Sequence, residues 1–333
     1  MFRFTKESVI YVVCPSNYKS GGPELAHQLV YQINQNKGIS AMVAYYDLHN
    51  RPLGIHDAFK KYVSAFVSLD DVVDDSRNLI IALENRPEIL KKYKNIQKGI
   101  WWMSVDNYKR NHDFLFFVKH YRCMDVVKSI LLGRFNFRKI TLDNSITHFY
   151  QSEYARDFLE KMGITNVCRL SDYLNSEYLC VDPNTERENV VLYNPSKGFK
   201  FTKKIIEAAP DIRWKPLQNM TTEQVKNTLL HSKVYIDFGN HPGKDRFPRE
   251  AAMCGCCVIT GKRGSAKFFE DVPIDDEFKF DENVNSIRNI VEKIQICLDD
   301  YSNQSKKFEG YRDFIKKEYD VFQNDVKSIF FDA

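Results

Sequence analysis

The residues of this chain best placed to hold an anion are basic ones beside glycine, in loops that follow apolar runs. Lys197 precedes Gly198 in Tyr193-Asn-Pro-Ser-Lys-Gly198, after the strand-like Asn189–Tyr193. Lys244, Arg246 and Arg249 follow the run Val234–Phe238, and Lys262 and Arg263 follow Cys256–Thr260. A lysine reaches a phosphate as a mobile point charge, and an arginine grips two of its oxygens at once. Cations converging on one end of one sheet suit a diphosphate. Glu250, expected in the first turn of a helix over Pro248–Cys254, can accept both hydroxyls of a ribose; the helix dipole alone also favours it there. Asp106, after Trp101-Trp102-Met-Ser-Val105, is the candidate general base, with His112 or Glu24 behind it. Its other reading is a cap in the turn.

These side chains need a scaffold that gathers loops, and the period of the sequence supplies one. Val9–Cys14 is apolar and β-branched, Glu24–Gln35 carries Leu25, Leu29, Val30 and Ile33 on one helical face, and Ile39–Tyr46 reads as a strand again. That is a βαβ unit with a right-handed crossover. Leu79–Leu83, Gly99–Val105 and Ile146–Gln151 are further strands, the last followed by a helix at Ser152–Met162. From Asn189 the alternation restarts and runs to Thr260. Two parallel α/β domains follow, with ligand loops at the carboxyl ends of the strands. The expected boundaries are 1–172, a linker at 173–188, a second domain at 189–305 and a carboxyl-terminal helical segment at 306–333 that crosses back to the first domain. Gly21-Gly22-Pro23 opens the first helix, where free N–H groups meet an anion or sugar oxygen.

Several chemistries are absent from the pattern. There is no G-x-G-x-x-G and no G-x-x-x-x-G-K-[ST], against a nicotinamide dehydrogenase or P-loop nucleotidase. No D-x-D string offers a metal site for a sugar donor, and Asp70-Asp71 and Asp74-Asp75 have the wrong spacing. The eight cysteines lack the spacing of a disulfide framework or a zinc site and read as buried free thiols in a reducing compartment. A formal charge of +4 over 333 residues marks no nucleic-acid binder. No apolar run approaches the roughly 18 residues that span a bilayer. The chain reads as cytoplasmic, with at most peripheral membrane contact.

In its motifs the sequence resembles the nucleotide-sugar glycosyltransferases of GT-B fold, most nearly the retaining family 4 type. Gly21-Gly22-Pro23-Glu24 is similar to the family's glycine loop and Ser152-Glu-Tyr-Ala155 to its "SEYA" helix start. Asn194-Pro-Ser-Lys-Gly198 is similar to its "xxxKG" loop, and Glu250-Ala-Ala-Met-Cys-Gly-Cys-Cys-Val-Ile-Thr260 to its "EAMAxGxPVIxx" core. The resemblance implies two Rossmann-like domains whose parallel sheets face a central cleft. It implies transfer of a hexose or deoxyhexose from a nucleotide-sugar to a glycan or lipid-linked acceptor, in surface polysaccharide synthesis at the inner face of the membrane. No cofactor or metal is implied. Glu250 would hold the donor ribose and Lys197 the diphosphate, with Arg246 as its partner and Lys244 second; Gly21, Gly22, Asn194, Ser196, Gly198 and His241 complete the expected donor site. Lys197 and Arg246 would stabilise the departing phosphate, and Asp106 would act as base if configuration inverts. At the family's second glutamate, eight residues before Glu250, this chain has Pro242, after His241. A His-Pro pair is also similar to that of transferases using cytidine-monophosphate sugars. A sugar-nucleotide epimerase of the same fold and a catalytically silent module of a polysaccharide-assembly complex are the alternatives.

Overall fold

The computed structural model describes residues 2–47, 52–120, 123–131, 138–179 and 185–332. Two units emerge: Met1–Asp172 with Asp320–Ala333, and Tyr173–Tyr319. The first runs β1 (Val9–Pro15), α1 (Gly21–Asn34), β2 (Ser40–Tyr46), β3 (Phe66–Ser68), β4 (Leu79–Leu83), β5 (Gln97–Trp102), α2 (Val105–His112), α3 (Phe114–His120), α4 (Cys123–Leu131), α5 (Arg138–Thr141), β6 (Thr147–Tyr150), α6 (Glu153–Lys161) and β7 (Val167–Arg169). Its strands form one parallel sheet in the order β3-β2-β1-β4-β5-β6-β7, with Ile10 registered on both Ala41 and Leu79. Strand order reverses between β1 and β4, so the crevice outside their carboxyl ends is the place for a ligand.

Burial explains the strands. Ile10, Val12, Val13, Leu79, Ile80 and Ile81 are wholly enclosed, as both faces of a helix-covered parallel sheet require. Trp101 and Trp102 are enclosed too; the Trp101 indole donates to the Leu170 carbonyl at 3.0 Å and that of Trp102 to His148 Nδ1 at 2.9 Å. Neither presents a ring to a sugar. The expected strand at Gly99–Val105 stops at Trp102, because the Ser104 hydroxyl accepts from the Asn107 amide and caps α2.

The second unit runs β8 (Glu188–Tyr193), α7 (Phe199–Ala208), β9 (Arg213–Pro216), α8 (Thr222–Leu230), β10 (Ser232–Asp237), α9 (Arg246–Met253), β11 (Cys257–Gly261), β12 (Lys279–Phe280), α10 (Ile287–Asp299), α11 (Tyr301–Gln304) and α12 (Glu309–Lys316). Its parallel sheet has the order β12-β11-β10-β8-β9, and the reversal falls between β8 and β10. The last helix, α13 (Glu318–Phe330), begins at the end of this unit and finishes in the first. The carboxyl segment thus leaves the second unit at Tyr319, not at 306, because Phe308, Tyr311 and Ile315 sit in the second core. Leu174 and Tyr178, in the polar stretch read as a connection, are buried in that core as well.

A buried ion cluster ties this unit together. Glu318 Oε2 accepts from Arg249 Nη1 at 2.8 Å and from the Leu174 amide at 3.2 Å, its Oε1 forms an ion pair with Lys244 Nζ at 2.7 Å, and both cationic side chains are almost fully enclosed. Removing the carboxylate strands two charges in a low dielectric. Glu318→Ala is expected to cost about 3–5 kcal/mol, read as a lowered midpoint in urea unfolding.

Candidate functional site

The switch point of the second sheet collects the loops after β8 and β10. The first is shaped by Asn194, whose side chain accepts from the Ser196 amide at 3.0 Å, and by Gly198. Gly198 has φ +61, and a Cβ there would lie 2.0 Å from the Phe238 carbonyl oxygen. Only glycine lets this loop press against the end of β10. Lys197, half-buried beside it, reaches Asp245 Oδ2 at 2.8 Å.

The second loop is held from the other side. The Ser265 amide donates to the His241 carbonyl at 2.9 Å and its hydroxyl donates to the Gly243 carbonyl at 2.6 Å. His241 is wholly enclosed, with Nδ1 3.2 Å from Asp245 Oδ2 and Nε2 3.7 Å from Asp237 Oδ1. Burial alone would strip its proton, but the carboxylates of Asp237 and Asp245 outweigh that and lift the pKa above its ordinary value. Asp245 would likewise be raised by burial, yet His241 and Lys197 hold it below the usual carboxylate range. The ligand atoms of Asp237, His241 and Asp245 lie within 4.8 Å of one another, a set able to take a metal ion. Here the Lys197 ammonium already lies against Asp245, and the ring between the two carboxylates is drawn toward its charged form.

Helix α9 starts at Arg246, two residues before the expected Pro248, which puts Glu250 one turn in and not in the first turn. Asp245 occupies the N-cap position without a side-chain capping bond, because its carboxylate turns to Lys197 and His241. The first N–H groups of α9 therefore get no cap from it, the arrangement that suits an anion. Arg246 is half-buried with Nε 3.7 Å from Glu250 Oε1, and Glu250 itself is largely buried. Lys244 and Arg249 belong to the Glu318 cluster, and Arg263 lies 3.1 Å from Glu282, whose carboxyl burial pushes up to about 7. Of the sequence-nominated cations, Lys197 and Arg246 are those the loops bring together at the start of α9.

In the first unit Gly21 and Gly22 form the first turn of α1, and neither has a left-handed backbone. A Cβ on Gly22 would make ordinary contact with Met103 Sδ at 3.6 Å. Asp106 lies in the first turn of α2 and accepts from the Tyr154 hydroxyl at 3.0 Å; Glu24 accepts from Tyr62 at 3.2 Å. His112, in the last turn of α2, is buried.

Sequence reasoning missed Glu84. It follows β4, at the sheet reversal beside β1, and its side chain accepts from the Met103 amide at 3.1 Å. Burial raises its pKa to about 7. No local motif marks it; only the strand order shows that β4 borders the crevice.

No protein-family model and no curated protein matches the sequence, and the likeness to known proteins is structural. Sucrose-phosphate synthase from Thermosynechococcus elongatus superposes with a TM-score of 0.63 at 12% identity, over 97% of this chain and 98% of that one. HepE from Anabaena, in complex with UDP-glucose, gives 0.62 at 12% identity over 96% and 99%. S. aureus TarM, as a point mutant with fondaparinux, alpha-GlcNAc-glycerol and UDP, gives 0.55 at 14% over 79% of this chain, which spans 57% of that protein. The fold is thus the GT-B arrangement of two Rossmann-like α/β units found in glycosyltransferases.

The raised carboxyl of Glu84 fixes a pH dependence. A group whose folded pKa exceeds its unfolded value contributes fully below the unfolded pKa, and that contribution is lost as pH rises through the folded one. For Glu84 the window runs from its ordinary carboxyl value up to about 7. Glu84→Gln, which carries no charge to bury, is expected to gain on the wild type by on the order of 2–3 kcal/mol between about pH 5 and about pH 8, measured by chemical denaturation at each pH.

Proposed function

We propose that this chain is a glycosyltransferase, most nearly of the retaining family 4 type, that transfers a hexosyl or deoxyhexosyl group from a nucleotide-sugar to a glycan or lipid-linked glycan. The observation that carries the reading is the meeting of Lys197, Arg246, Glu250 and the start of α9 at the switch point of the second sheet. That set matches the needs of a nucleoside diphosphate: a point charge, a fork and helix-start N–H groups for the phosphates, and a carboxylate for the ribose. The fold shared with HepE, solved with UDP-glucose, supports the same class of donor.

Catalysis in this reading is electrostatic. Negative charge grows on the leaving phosphate as the glycosidic bond breaks, and Lys197, Arg246 and the α9 amides are placed to meet it. Lys197 must release Asp245 to do so, and the buried ring of His241, 3.2 Å away, is the group left beside that carboxylate. If configuration is retained, the leaving phosphate itself takes the acceptor proton. If it inverts, a general base is required, for which Asp106 is the candidate the sequence nominates. The acceptor belongs to surface polysaccharide synthesis, presented at the inner face of the membrane.

A catalytically silent module is the second reading, and Pro242, standing where the family has a glutamate to the donor sugar, favours it. A thermal-shift screen of sugar nucleotides followed by transfer from the stabilising donor decides. We expect at least one sugar nucleotide to raise the melting temperature, and Lys197→Ala and Glu250→Ala to weaken its binding by about tenfold or more. Transfer should persist in EDTA, since the proposal routes no step through a metal. If no sugar nucleotide stabilises the protein and Glu250→Ala changes nothing, the silent module stands instead.

A further inference from the structure

Of the fifteen large hydrophobic side chains exposed among the described residues, eight lie between Phe114 and Leu142. Along α4, Met124, Val127 and Leu131 stand at positions i, i+3 and i+7 of one face, while Val126 and Ser129 are buried on the other. Leu115 of α3 is 77% exposed, Met124 84% and Leu131 81%. A helix of a water-soluble surface places its apolar stripe inward, and here a second stripe points outward.

The charge of the same stretch says what covers it. Residues 105–141 hold eight Lys and Arg against Asp106, Asp113 and Asp125, while the whole chain holds 48 against 44; the rest of the chain therefore carries 40 against 41. The entire positive excess is concentrated in this segment. Lys119 and Lys128 are both exposed beside the apolar residues. Apolar side chains interleaved with lysines match the boundary of an anionic bilayer, where stems and rings enter the acyl edge and ammonium groups meet lipid phosphates. Among the described residues no helix is long and apolar enough to cross a membrane.

We propose that the outward face of α3 and α4 docks on the surface of a bilayer containing anionic lipid. The inference rests on the reading that the acceptor is presented at the membrane and deepens it by naming the surface that meets the bilayer, and it uses none of the residues assigned to the donor. Its bearing on that reading is to place a site for lipid-linked acceptors at the surface where they reside.

Flotation of the full chain with vesicles tests it. With phosphatidylcholine containing about 30% phosphatidylglycerol the protein should float, and with phosphatidylcholine alone or at high salt binding should fall by about tenfold. The triple variant Leu115→Ser, Met124→Ser, Leu131→Ser should lose flotation on anionic vesicles, and Lys119→Glu with Lys128→Glu should lose the preference for phosphatidylglycerol. These side chains are exposed, so circular dichroism and melting temperature should match the wild type. Absence of flotation by the wild type, or undiminished flotation of the triple variant, overturns the proposal. So does a dimer in lipid-free sedimentation that the triple variant dissolves, which would make a second copy of the chain the occupant. The melting shift induced by sugar nucleotide, measured on the same variants, reports on the donor site separately, so failure of one reading is not mistaken for failure of the other.

Discussion

The start of α9 in the second unit depends on one buried carboxylate. Glu318 draws Lys244, Arg249 and the Leu174 amide to itself, while the Arg249 guanidinium also donates to the carbonyls of Lys244 at 2.9 Å and Asp245 at 3.2 Å. Three stretches of chain, the start of the unit, the loop before α9 and α9 itself, are thereby fixed at a single point. Burying such charges is costly and tolerated only when every partner is in place. That constraint sets the position of the first turn of α9, and with it the direction in which Arg246 and Glu250 can act.

A second consequence concerns charge balance. Lys197, Arg246 and Arg263 each have a carboxylate within ion-pair distance. A donor bound as proposed competes at this edge with carboxylates that are already in place. His241 makes such an exchange tolerable, since its ring stays 3.2 Å from Asp245 when Lys197 turns away. Affinity at such a site reflects the difference between two sets of pairings, so it is smaller and more selective than a sum of contacts would suggest.

Much of the fold was legible because its determinants are local. The β-branched runs, the helical face of α1, the glycine at 198 and the small residues after Glu250 each state their own structure. The start of α9 moved two residues upstream because Arg246 and Phe247 carry no N-terminal signal, and Asp245, the natural cap, faces elsewhere. Between Val105 and Ile146 no element was legible in the sequence, and several apolar side chains there, Leu115, Met124 and Leu131 among them, are exposed. Of the site, the cations were visible and their partners were not. Asp237, Asp245, Glu282 and Glu84 are single carboxylates without motif, brought into place by strand order and loop packing alone. For the same reason Lys244 and Arg249 looked like ligands: sequence shows that a charge exists, and only the fold shows that Glu318 already holds it.

The first unit is written in two pieces, and that has a consequence in time. Arg169, on edge strand β7, and the Ser171 amide are both held by Asp325, at 2.8 and 3.0 Å, and Asp325 follows Arg169 by 156 residues. On a ribosome adding roughly 5–20 residues per second, that partner arrives roughly ten to thirty seconds after the strand it serves. The second unit, unbroken from Tyr173 to Tyr319, is complete first, although its sequence comes later. Until the last helix emerges, the rim of the first sheet waits with unmatched hydrogen-bonding groups, the condition under which nascent chains pair wrongly or recruit a chaperone.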